Sequence, residues 1–130
     1  MSTKIDEAKN DADRYASMVL HYSDNAEKYL KLNDYHKAGE MMWGAMSCTL
    51  KTVAAKRNKS INGHKALGKF AIFLAKQEQD KDVFYSFALA NMLHQNFYEA
   101  NMDKFLIQSI CLDVARTIGK LMRKMNYRSP

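Results

Sequence analysis

A chain of 130 residues with 47% hydrophobic content, five glycines and a single proline at position 130 has the composition of one helical domain, and it excludes both a disordered polymer and a turn-rich all-β chain. No run approaches the roughly 18 apolar residues of a membrane span, and Met1 to Lys9 is too polar for a secretory signal, so a soluble, cytoplasmic protein is expected. The formal net charge of +6 sits in the middle of the chain: residues 41–77 carry seven basic side chains and no acid, against −2 for residues 1–40 and +1 for residues 78–130. A local basic field of this kind attracts phosphate-bearing partners, although solvated surface lysines produce the same pattern.

Ile5, Ala8, Ala12, Tyr15, Val19, Tyr22, Ala26 and Tyr29 recur at steps of three and four, which predicts a first helix to about Leu32. Asn33 and Asp34 break it, and Asp34 can cap the next helix. That second helix presents Tyr35, Ala38, Met42, Ala45, Thr49 and Val53 on one face. Met41, Trp43, Met46 and Leu50 widen the apolar surface, so burial on more than one side is expected. Trp43 reads as a core anchor, with Gly44 permitting a close helix crossing. RNKSINGH, residues 57–64, is a loop in which Ser60 or Asn62 can cap a third helix, built on Leu67, Phe70, Ala71 and Leu74 and ending near Gln79.

Asp80 or Asp82 caps a fourth helix, about 82–99, which is apolar nearly all round through Val83, Phe84, Phe87, Leu89, Met92, Leu93 and Phe97 and is therefore expected to be central. Asn101 opens a fifth, with Ile107, Ile110, Val114, Ile118, Leu121 and Met125 as its buried seam. Five helices on short connections predict an all-α, antiparallel up-and-down bundle forming a single domain over residues 1–130. The broad apolar surface of the longest helices is covered either within the monomer or in a homodimer.

The polar candidates fall into two groups. Around LHQNFYEAN, residues 93–101, helical geometry puts Asn91, just before it, with His94 and Tyr98 on one face and sets Glu99, near Asn96 and Gln95, on another. His94 is a candidate acid, base or ligand-binding imidazole, or else a core histidine bonded to Asn91, Tyr98 or another helix. Glu99 can pair with a lysine of the basic segment. The second group is Arg57 and His64, with Lys51, Asn62 and Lys65 nearby, where a loop brings positive charge toward a helix start whose amides attract anions. With RNA bound there, Arg57 could stabilise the phosphorane while His64 exchanges protons; otherwise His64 packs the helix start and Arg57 stays in solvent.

Cys48 and Cys111 have no partner spacing and read as buried thiols. His21 and His36 lack metal-ligand neighbours, so neither a metal nor a cofactor is expected. Arg116, Lys120, Lys124 and Arg128 form a basic stripe of the kind that complements a helix C-terminus.

The order of motifs carries one resemblance. AGEMMWGAMSCTLKTVA at 38–54, NGHKAL at 62–67 and LHQNFYEAN at 93–101 resemble the archaeal PaREP-type family, with Glu40, Trp43, Gly44, Ala45, Lys51, His64, Leu93, His94, Asn96, Phe97, Tyr98 and Glu99 matching its pattern. That family looks like a branch of the HEPN superfamily. The resemblance implies a helical bundle, commonly dimeric, that is either a nucleotide- or RNA-binding module, in some cases accompanying a nucleotidyltransferase, or a metal-independent endoribonuclease with an arginine and a histidine closely spaced. Arg57 and His64 satisfy that spacing, but Arg57 lies outside the PaREP-type pattern. Binding without catalysis is the preferred expectation, with the ribonuclease and a purely structural partner protein as alternatives.

Overall fold

The computed structural model describes residues 3–130, except for the side chain of Ile5, so the first residue of the predicted stripe lies outside the described ones. Five helices follow in order: α1 Lys4–Lys31, α2 Tyr35–Lys56, α3 His64–Gln77, α4 Lys81–Glu99 and α5 Lys104–Lys124. No strand occurs among the described residues, and the all-α bundle read from periodicity is the one formed.

Local chemistry sets the helix ends. Thr3 and Asp6 make a reciprocal capping box at α1, Asp34 accepts from the Lys37 amide at α2, and Asp80 accepts from the Asp82 amide at α4. Left-handed residues stop the helices, at Asn33, Asn58, Gln79, Ala100 and Asn126. Two predicted caps differ. Neither Ser60 nor Asn62 caps α3; its N-cap is Gly63, at φ 87°, which supplies no side chain. The fifth helix opens at Asp103 rather than Asn101, because the Asn96 side-chain oxygen accepts from the amides of Asn101 (3.1 Å) and Met102 (2.7 Å) and holds them in a turn.

The central helix is α2, which buries residues from Ala38 to Ala55 and packs against all four others. The expectation that the fourth helix is central is corrected. Its Val83, Phe87, Ala90 and Leu93 side meets the core, but Tyr85, Met92 and Tyr98 stand in solvent, because α2, α3 and α5 cover only one side of it. Apolar residues all round a helix set how much it could bury, not how many neighbours reach it. Close approach between α1 and α2 depends on Gly44, where an added Cβ would lie 2.8 Å from the Tyr22 ring. Between α4 and α5, the buried Ser86 hydroxyl shares a hydrogen bond with Thr117 (2.6 Å) and reaches Asp113 (3.2 Å), so the polar groups of that interface are paired.

Neighbouring helices run antiparallel at α1–α2, α3–α4 and α4–α5. The α2–α3 connection behaves differently: Arg57, at the end of α2, meets Gln77 and Glu78 at the end of α3, while Trp43, early in α2, meets His64 at its start. Residues 57–63 therefore return along α2, pinned by buried Ile61, and α3 runs in the same sense as α2. This brings the start of α3 beside the late part of α4.

Cys48 and Cys111 are buried free thiols, as expected; burial raises both, Cys111 to about 12. Among the described residues, no helix is long and apolar enough to cross a membrane.

Candidate functional site

One face of α2 carries Glu40, Gly44, Ser47 and Lys51, spaced by four, three and four residues and so aligned along the helix. The Tyr22 ring packs directly over Gly44, and the short side chain of Ser47 leaves a trough beside it. Tyr22 and Met18 of α1 form one wall, and Gly63, His64 and Leu67 form the other, enclosing a cleft of about 390 Å³. That volume falls within the range of small-molecule sites.

At the Glu40 end, three rings assemble. Trp43, only 7% exposed, stacks on His64 (centroids 5.0 Å apart, planes 13° apart) and on His94 (5.1 Å, 22°), and the two imidazoles lie 5.1 Å from each other. His94 Nδ1 is 2.9 Å from both carboxylate oxygens of Glu40. A carboxylate can only accept, so Nδ1 carries the proton and donates. Both side chains are 21% exposed, which makes this a half-buried pair rather than a surface one. Tyr98 closes on the His94 ring edge-on at 5.6 Å but is otherwise 74% exposed.

From His64 toward Lys51 the cleft is an anion environment. Gly63 offers no side-chain cap, so the first amides of α3, from His64 onward, have no partner within the helix. The Ser47 hydroxyl, on a residue 8% exposed, is buried with no hydrogen-bond partner. Its neighbours Thr49 and Thr52 bond back to the carbonyls of Ala45 (2.8 Å) and Cys48 (2.7 Å); Ser47, which lines the cleft, does not, so its buried oxygen is left without a partner beside it. Lys51 lines the same cleft, with Nζ 5.8 Å from the Tyr15 ring centroid.

The structure thus brings Lys51, His64 and His94 to one region, and it places the other candidates elsewhere. Arg57 is held by Gln77 and by Glu78 (3.6 Å), at the opposite end of α3 from His64 and about 20 Å along its axis. Asn62 and Lys65 are exposed on either side of Gly63 and His64 but do not line the cleft, and Asn91 is half-buried on α4. Asn96 is a bracket: besides holding the turn before α5, it donates to His36 Nδ1 (3.1 Å) at the start of α2. Glu99 is exposed and makes no ion pair among the described residues.

Ser47 escaped the sequence reading entirely, because nothing in its context distinguishes a serine that back-bonds from one that does not. Glu40 and Trp43 entered only through the family pattern and as a core anchor, although Glu40's spacing of seven to Ser47 and eleven to Lys51 marks one helical face.

The sequence model described as the archaeal PaREP1/PaREP8 family matches residues 14–111. No curated protein and no solved structure matches the chain.

Proposed function

Because the chain belongs to the archaeal PaREP1/PaREP8 family, whose matched region contains every residue of this cleft, we propose that it is a HEPN-like module that binds a nucleotide or RNA and acts as a homodimer. The observation that carries the reading is the convergence of Lys51, the unpartnered Ser47 hydroxyl and the uncapped start of α3 on one cleft. Helix amides, a hydroxyl and an ammonium are the donors a phosphate needs. The basic middle segment supplies the surrounding field.

Binding is better supported than cleavage by an Arg57 and His64 pair. A phosphoryl group at His64 would lie far from the Arg57 guanidinium, which is already occupied by Gln77 and Glu78. For the homodimer, support comes from the outward faces of α4 and α5, where Tyr85, Met92, Phe105, Leu106 and Leu112 are each more than 40% exposed.

Titration of the purified protein with a labelled single-stranded RNA and with AMP, in EDTA and at two salt concentrations, tests the binding. Either ligand should bind, more weakly at high salt and after Lys51→Ala or Ser47→Ala. Failure of both to bind at low salt sinks the proposal. Sedimentation at micromolar concentration should show a dimer that Leu112→Asp dissociates; a monomer at all concentrations removes that part.

A further inference from the structure

We propose that the cleft reads the sugar as well as the phosphate: its ligand is a ribonucleotide, whose ribose hydroxyls donate to Glu40 while its phosphate sits at the start of α3. This rests on the nucleotide-binding reading above and goes beyond it by assigning a second subsite.

The cleft is not uniformly basic. Glu40 lines it along with Lys51, eleven residues apart on one helix and hence about 16 Å apart along the axis, with Ser47 and the α3 start between them. An ionised carboxylate repels a phosphate, so its presence in an anion-binding cleft is a cost unless the ligand also brings donors to it. The oxygens of Glu40 can only accept. A phosphodiester or a dianionic phosphate monoester has no donor to offer them, whereas the vicinal hydroxyls of a ribose offer two.

The setting of Glu40 fits that role. His94 donates to it from α4 at 2.9 Å, within hydrogen-bond distance of both oxygens, and packs against buried Trp43, so the carboxylate is oriented before any ligand arrives. One imidazole proton cannot satisfy two oxygens with about four lone-pair sites, so acceptor capacity remains on the cleft side. A carboxylate fixed in this way is the usual means of recognising a ribose 2′-hydroxyl, and the 2′-hydroxyl is what lets a site tell ribose from deoxyribose.

Trp43 is the only tryptophan, and it floors the ring cluster, so its fluorescence reports occupancy of the cleft. The full-length protein is titrated with AMP, 2′-deoxy-AMP and inorganic phosphate. AMP should bind roughly tenfold more tightly than 2′-deoxy-AMP, the loss expected for one hydrogen bond to a charged acceptor. Glu40→Gln should shrink that ratio to about twofold while inorganic phosphate binds at least as tightly as before, since a like charge is removed. Equal affinity of the unsubstituted protein for AMP and 2′-deoxy-AMP, with phosphate still bound, overturns the ribose subsite alone and leaves an anion site. No binding of any of the three, by fluorescence and by calorimetry, overturns the ribonucleotide subsite, and failure of single-stranded RNA to bind as well overturns both readings.

Discussion

His94 of α4 donates through Nδ1 to Glu40 of α2 across 54 residues of sequence, at 2.9 Å from each carboxylate oxygen. Between it and the second polar link of these helices, Asn96 to His36, the contact is apolar, with Leu93 against Gly39. Removing the acceptor leaves a half-buried imidazole N–H unpaired. Glu40→Ala should therefore destabilise the fold by about 1 kcal/mol, near the lower end of the penalty for an orphaned donor because water reaches the pair. Urea denaturation measures it; no change in midpoint would show that the pair contributes nothing to stability.

Gly44 meets the Tyr22 ring with no space for a Cβ, which would lie 2.8 Å from two ring atoms. Gly44→Ala should cost about 1–3 kcal/mol through overpacking between α1 and α2. In a Gly44→Ala, Tyr22→Ala double variant the two losses should not add, since the clash disappears with the ring. Additive losses in thermal or denaturant unfolding would mean that the helices separate without touching at this point.

Ala100 ends α4 at φ 53°, a left-handed conformation in which a Cβ is penalised. Ala100→Gly should raise stability by about 1 kcal/mol, net of the greater freedom glycine gives the unfolded chain. Helicity by circular dichroism should be unchanged while the melting temperature rises; a fall would show that the loop geometry tolerates alanine at no cost.

Lys120 pairs with Asp80 and holds its carboxyl below the usual value of 3.8, helped by the Asp82 amide. A carboxyl depressed in the folded state stabilises it at pH above the unfolded value, and that contribution is lost as pH falls below about 3.8 toward the folded value. Stability should drop over this acid range in the native protein, and less steeply in Lys120→Met. Parallel pH profiles for the two proteins would exclude the pair as a source of acid sensitivity.

The helices and two of their caps were legible because the signals are local: a stripe at steps of three and four, or an aspartate one residue before it. Asn101 misled because its turn is held by Asn96, a preference that depends on which amide a side chain reaches rather than on spacing. The prominence given to the fourth helix failed for a related reason, since apolar content does not say which neighbours arrive. At the site, Lys51, His64 and His94 could be named one by one, but their meeting depends on the direction of α3. Arg57 and His64 are close in sequence and far apart in space, because after the turn at Asn58 the chain from Lys59 runs back along α2.

That extended return has a mechanical consequence. After the left-handed turn at Asn58 the Lys59 amide bonds the Ala54 carbonyl at 2.8 Å, so the return is made by five peptide steps from Lys59 to His64, about 17–18 Å at most, over the roughly 16–17 Å of helix length between Ala54 and Trp43. The strand of chain is close to taut, and buried Ile61 fastens its middle. It works as a tie rod: α3 cannot slide away from Trp43 without unseating Ile61, so one wall of the cleft keeps its distance from the other by tension in the backbone, with little slack for a ligand to take up.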